Sequence, residues 1–385
     1  MATVITAERL FAPHGCIESP VVLAEDGRIT LVQSRNAAEL PSGRLLDFPD
    51  LILAPGFIDL HIHGGAGHDV METDGAAQEG FEQHLLRHGV TAYLPTTVTA
   101  PLDNILVALE RLGRKSSQTA NGGRLSCAVG IHLEGPFISH EKRGVHPPEN
   151  LLQPSPAMLD KFWSASQGML RMITVAPELS GASETIAHAR KLGIVSSLGH
   201  SNATLEQADR GISAGASHAT HTFNAMRVLD HRNPGLLGVI LNNDALTADI
   251  IADGIHVHPS VVELFLRAKG PDRAILISDA ISATGMPDGN YKLGRFDVEL
   301  RGGRCEYRGR LAGSVLTLDR AVRNVMNFAG WSLQQAVALV TSNPAKLLGI
   351  TDDRGLLAPG RRADLVVLTP EGEVAHTILA GEMVQ

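Results

Sequence analysis

Eight short runs of apolar and β-branched residues recur between Leu51 and about Asn343, each followed by a stretch that suits a helix. They are residues 51–60, 90–94, 126–133, 171–176, 193–199, 216–220, 248–252 and 274–278. Strands alternating with helices run parallel, because each crossover returns the chain to the same end of the sheet. Eight such units fit a closed (β/α)8, TIM-like barrel better than an open doubly wound sheet. An open dinucleotide-binding sheet would also place GxGxxG after its first strand, and none stands there.

The flanks read as β-structure. Residues 21–24 and 29–32 are apolar and bracket the turn Glu25-Asp26-Gly27-Arg28, and residues 365–368 follow Pro359-Gly360 as another strand signal. Neither flank can bury a core alone, so the two termini are expected to pair into one small β-sandwich domain. The expected division is residues 1–50 plus 346–385 for that domain and 51–345 for the barrel. Residues 286–312, with Asp288-Gly289-Asn290 and Arg301-Gly302-Gly303-Arg304 as turns, read as a hairpin excursion after the eighth strand.

Barrel active sites form at the carboxyl ends of the strands, and that is where this chain places its histidines and carboxylates. His61 and His63 close the first run; with one residue between them they project to the same face of a strand and can share one ion. Glu134 ends residues 126–133 before Gly135-Pro136, His200 follows residues 193–199, His221 follows 216–220, and Asp279 follows 274–278. Singly, each has a plainer use: imidazoles serve as ordinary hydrogen-bonding groups, and an aspartate at a strand end caps a helix. Together, nitrogen and carboxylate donors without cysteine suit a catalytic Zn²⁺, with Fe²⁺ as the alternative, that keeps a position open for water. Such an ion lowers the pKa of its water from near 16 toward about 7, which makes hydrolysis the natural chemistry. Asp279 is placed to take the water's proton and pass it to the leaving group.

Other classes are disfavoured. A net charge of −8 without a block of like charge gives no footprint for nucleic acid or an anionic membrane. Three cysteines without a CxxC indicate no disulfide framework, so a reducing cytoplasm is expected. No run approaches the roughly 18 apolar residues of a membrane span.

The combination His61-Ile62-His63, His132-Leu133-Glu134-Gly135-Pro136-Phe137, Leu198-Gly199-His200-Ser201-Asn202, Thr220-His221-Thr222-Phe223-Asn224-Ala225-Met226 and Ser278-Asp279-Ala280 resembles the N-acetylglucosamine-6-phosphate deacetylases of the amidohydrolase superfamily. The likeness runs on through Leu311-Ala312-Gly313-Ser314 to Pro359-Gly360-Arg361-Arg362-Ala363-Asp364. It implies that Glu134, His200 and His221 hold one metal, that Asp279 is the acid/base, and that His146 polarises the acetyl carbonyl. Members of the family differ at the first-strand pair, so His61 and His63 imply room for a second ion, bridged by Glu134 and touched by Asp279. For the substrate's phosphate the likeness points to Asn224, the backbone amide of Ala225, His256, and Arg232 reaching across a homodimer. Read without it, Arg232 is equally a solvated loop charge, and Lys142 or Arg143 equally a phosphate ligand.

The implied reaction converts N-acetylglucosamine 6-phosphate and water to glucosamine 6-phosphate and acetate. The alternatives are the galactosamine epimer of that substrate, another amidohydrolase substrate such as a cyclic amide, or a barrel that has become an inactive scaffold.

Overall fold

The computed structural model describes residues 2–37, 39–71, 75–119 and 124–385. Parallel strands form a ring at its centre. Phe57–Ile62 pairs with Val90–Thr97, and the ladder continues through Ile131–Glu134, Leu170–Val175 and Val195–Leu198 to His218–Ala219. Backbone bonds from Ala219 N to Thr247 O (3.1 Å) and from Thr222 N to Asp249 O (2.9 Å) carry it to Ala248–Ile250, which pairs with Ala274–Leu276. A parallel bridge between Ile62 and Ala280, with Asp279 N donating to His61 O (2.9 Å), returns the ring to its start. Every residue of Val90–Thr97 is buried, as expected of a parallel strand covered on both faces.

Helices separate the strands, and their ends carry the expected chemistry. Leu205–Ala214 opens on a capping box in which Thr204 Oγ1 accepts from Gln207 N while the Gln207 side chain accepts from Thr204 N. Leu318–Ala329 stops at Gly330, whose φ of 66° is the left-handed stop that glycine adopts freely.

The apolar run 51–60 is two strands rather than one. Arg44–Pro55 belongs to the terminal sheet, and Phe57–Ile62 to the barrel. Gly56 stands at the break: a Cβ there would lie 2.1 Å from Thr91 Oγ1, so no side chain fits where the two sheets meet.

Strands from both termini share one eight-stranded sheet. Thr3–Ala12 runs parallel to Arg44–Pro55, and Leu365–Leu368 runs antiparallel to it on the other side. Asp26 (φ 48°) and Gly27 (φ 77°) form the tight turn between Pro20–Glu25 and Arg28–Ser34. Ile5, Leu10, Val22, Leu53, Leu365 and Ile378 form that sheet's buried cluster. After the eighth strand, Gly289–Leu293, Phe296–Arg301, Arg304–Tyr307 and Arg310–Leu311 form an antiparallel meander over Ile281, Val298 and Cys305. Among the described residues no helix is long and apolar enough to cross a membrane.

Candidate metal centre

Glu134 is the last residue of its strand, and five imidazoles surround its buried carboxylate. Its Oε1 lies 3.0 Å from both His200 Nε2 and His221 Nε2 and 3.6 Å from His61 Nε2, and its Oε2 lies 3.3 Å from His63 Nε2. Asp279 Oδ1 stands 3.2 Å from His63 Nε2 and 3.5 Å from His61 Nε2. Two donor groups result, Glu134 with His200 and His221, and His61 with His63 and Asp279, each with its ligand atoms within 4.8 Å of one another.

The arrangement fits a divalent ion. Ligand nitrogens about 2.0–2.1 Å from a tetrahedral ion are separated from each other by roughly 3.3 Å. His61 Nε2 and His63 Nε2 are 3.1 Å apart, and His200 Nε2 and His221 Nε2 are 3.0 Å apart. The ring nitrogens turned away from the cluster fix which nitrogen is free to coordinate. His63 Nδ1 donates to Thr96 O (2.9 Å) and His200 Nδ1 to Lys142 O (2.9 Å), which leaves both Nε2 lone pairs facing Glu134.

His146 has the opposite tautomer. Thr99 N–H donates to its Nδ1 (3.3 Å) and Thr99 Oγ1 lies 2.7 Å from the same atom, so the proton sits on Nε2, 3.5 Å from Glu134 Oε2. His146 therefore offers an N–H donor into a site toward which His63 and His200 turn their acceptor nitrogens.

Charge in the cluster is strongly shared. Burial alone would raise the Glu134 carboxyl, but the His61 charge and the His146, His200 and His221 nitrogens set against it hold it well below the carboxylate range. Burial likewise opposes Asp279, and His61 and His63 bring it down to about 2, so it stands ready as a base. Burial would lower His63, but Asp279 and Glu134 beside its Nε2 push it up to about 10, so a proton competes strongly for that lone pair. The centre is thus a basin that attracts positive charge.

The backbone is unusual at the same points. His200 (φ 45°), His221 (φ 30°) and Asp279 (φ 48°) all lie in the left-handed region, which a β-carbon disfavours and which clusters at functional sites. Neighbours hold those turns. Asp249 accepts from His221 N, and its other oxygen bonds His218 Nε2 (2.8 Å); neither partner was legible as a support in the sequence. His132, two residues before Glu134, bonds Leu60 O (3.2 Å) and Thr174 Oγ1 (2.8 Å) and is structural.

The residues expected to meet a phosphate are less gathered. Asn224 and Ala225 follow His221 on its loop, and Asn224 Nδ2 is buried without a hydrogen-bond partner. His256 Nδ1 is held by Asp253 Oδ2 at 2.7 Å. Arg232 is exposed on the loop after Met226 and makes no ion pair among the described residues.

The sequence profile of the Amidohydrolase family matches residues 52–384. An Escherichia coli O157:H7 N-acetylgalactosamine-6-phosphate deacetylase is 36% identical over 384 residues, 100% of this chain and 99% of the relative. A Bacillus subtilis N-acetylglucosamine-6-phosphate deacetylase is 36% identical over 371 residues, 95% of this chain and 93% of the relative. The crystal structure of N-acetyl-D-glucosamine-6-phosphate deacetylase from Mycobacterium smegmatis superposes with a TM-score of 0.92 at 32% identity, covering 100% of both chains. With a match over nearly the whole barrel and relatives alignable from end to end, the chain belongs to the amidohydrolase family.

Proposed function

We propose that this protein hydrolyses the acetamide of N-acetylglucosamine 6-phosphate, giving glucosamine 6-phosphate and acetate. The observation that carries this is the convergence of five imidazoles on the Glu134 carboxylate, with Asp279 set against two of them. Glu134, His200 and His221 would hold one divalent ion in this reading, and His61, His63 and Asp279 would hold a second. Zn²⁺ suits the donors best, with Fe²⁺ as the alternative; when bound, the ion supplies Lewis acidity and acidifies the attacking water.

The chain's own residues do the rest. Asp279, ionised and facing the same space, takes a proton from water as its oxygen bonds the acetyl carbon. His146 Nε2–H donates to the carbonyl oxygen as negative charge grows there, a contribution of roughly several kcal/mol. Asp279 then returns its proton to the nitrogen, the C–N bond breaks, and the amine leaves with acetic acid, whose remaining proton passes to the amine to give acetate and the ammonium sugar. Asn224, the amide of Ala225 and His256 hold the phosphate. Arg232 adds a guanidinium from the other subunit of a homodimer, a placement supported by its exposure and by the exposed Val228 and Leu229 beside it. We assign residues 51–345 to the catalytic barrel, and 1–50 with 346–385 to a β-sandwich-like terminal domain. With three free cysteines, the protein suits a reducing cytoplasm.

A second reading, the galactosamine epimer, is favoured by the full-length match to the Escherichia coli O157:H7 relative. Acetate release from the two N-acetylhexosamine 6-phosphates, measured beside the metal content of the same preparation, separates the readings. Release from neither substrate by a metal-loaded sample would leave the scaffold.

A further inference from the structure

The meander after the eighth strand closes one side of a cleft of about 500 Å³ whose other side is the segment from Arg143 to Glu149. His146 lines this cleft, so the cleft and the metal centre share a wall. In a chain of net charge −8, the lining brings Arg143, Arg295, Arg308 and Arg310 together against a single carboxylate, Glu149. Arg295 pairs with that carboxylate, and neither Arg308 nor Arg310 pairs with any among the described residues.

The arginines are organised on aromatic rings. Arg308 stands 5.1 Å from the centroid of Tyr307, Tyr307 stands 4.9 Å from Phe296, and Arg295 stands 5.6 Å from Phe296. The sequence of guanidinium, ring, ring, guanidinium seats both cations over aromatic rings, where guanidinium N–H groups remain able to bond an acceptor. Arg308 occupies a left-handed turn position (φ 51°) ahead of Gly309, where asparagine or glycine costs less, and the turn sets its side chain over Tyr307. Like charges gathered in this way repel one another, and an anion relieves the repulsion.

We propose that this cleft is an anion subsite, separate from Asn224, Ala225, Arg232 and His256, that takes a phosphate or carboxylate next to the metal centre. Its anion is either a second charged group on a sugar held at His146 or a free anion that occupies the cleft beside it. The inference goes beyond the deacetylase reading and stands without it, because its readout is binding; a failure to release acetate would sink that reading alone.

The test is calorimetric titration of the metal-loaded protein with glucose 6-phosphate, glucose 1,6-bisphosphate and inorganic phosphate. The bisphosphate is expected to bind about tenfold more tightly than the monophosphate through the added charge-assisted bonds. Arg308→Glu with Arg310→Glu, at an exposed turn, should abolish that advantage while the monophosphate's affinity stays within about twofold. Arg308→Gln with Arg310→Gln gives a neutral check that the loss follows the guanidinium groups rather than the introduced carboxylates. A bisphosphate advantage lost in these variants marks the sugar-borne anion. Phosphate binding that persists in Arg232→Ala and vanishes with the meander substitutions marks the free one. Affinities for all three probes that are unchanged by the meander substitutions overturn the proposal.

Discussion

Two buried carboxylates in this molecule are each ringed by nitrogen donors, and they finish differently. Asp364, beside the terminal sheet, is closed within the chain. Its Oδ2 meets Arg354 and Arg362, its Oδ1 accepts from Ala380 N (2.9 Å), and its backbone oxygen accepts from Gly56 N (3.0 Å) where barrel and sheet join. Guanidinium partners are permanently charged and balance the carboxylate directly, so nothing more is wanted there. Glu134 instead faces imidazoles whose lone pairs point inward, with Asp279 adding a second negative group. The first arrangement is complete, and the second acquires balance only from a cation. The contrast separates a structural knot from a reactive centre without reference to any relative.

The largest effect should follow from removing the hub. Glu134→Gln deletes the charge shared by both donor groups, so metal content measured by mass spectrometry should fall to background, and turnover with it. Retention of stoichiometric metal in that variant would break the comparison, since the carboxylate would then be no more an ion's partner than Asp364 is.

Asp279→Asn is expected to cut turnover by roughly 10²-fold or more while the fold and the ion held by Glu134, His200 and His221 are retained. Steady-state acetate release and metal content, read on one preparation, decide it. Near-normal turnover removes Asp279 from proton transfer.

Asp364→Asn should do the reverse. Breaking a buried ion pair by removing one partner costs about 3 kcal/mol, because two guanidinium groups lose their counter-charge. Urea denaturation should show that loss, with turnover per folded molecule unchanged. A fall in turnover without a fall in stability would mean that the junction at Gly56 reaches the catalytic rim.

Much of the reactive centre was legible before any coordinates. Parallel strands buried on both faces are written as short apolar runs, and the candidate ligands sit where those runs stop, so their register on the strands could be read directly. What the sequence did not carry was orientation. Nothing in the order of residues reveals that Thr99 forces His146 into the donor tautomer while Lys142 O and Thr96 O force His200 and His63 into the other. The left-handed φ of His200, His221 and Asp279 was equally hidden, because a β-carbon argues against that conformation and only tertiary contacts such as Asp249 to His221 N overrule it. The break at Gly56 was missed for a related reason: an apolar run does not record which sheet each half joins.

The smallest effect concerns a histidine outside both knots. His84 is buried with Nε2 unpartnered among the described residues, and burial, followed by the nearby His88 and Arg87 charges, pushes its pKa down to about 4 against an opposing pull from Asp319. Above pH about 6.5 neither the folded nor the unfolded chain is protonated at this residue, and the full stability is present. As pH falls toward 4 the unfolded chain takes a proton that the folded one refuses, so stability declines across that window. Between pH 7 and pH 5 the wild type should lose about 2 kcal/mol more than His84→Gln, read from urea denaturation at the two pH values. An equal loss in both proteins would show that acid acts here through paired carboxylates such as Asp319, and would place His84 with the groups that are already satisfied.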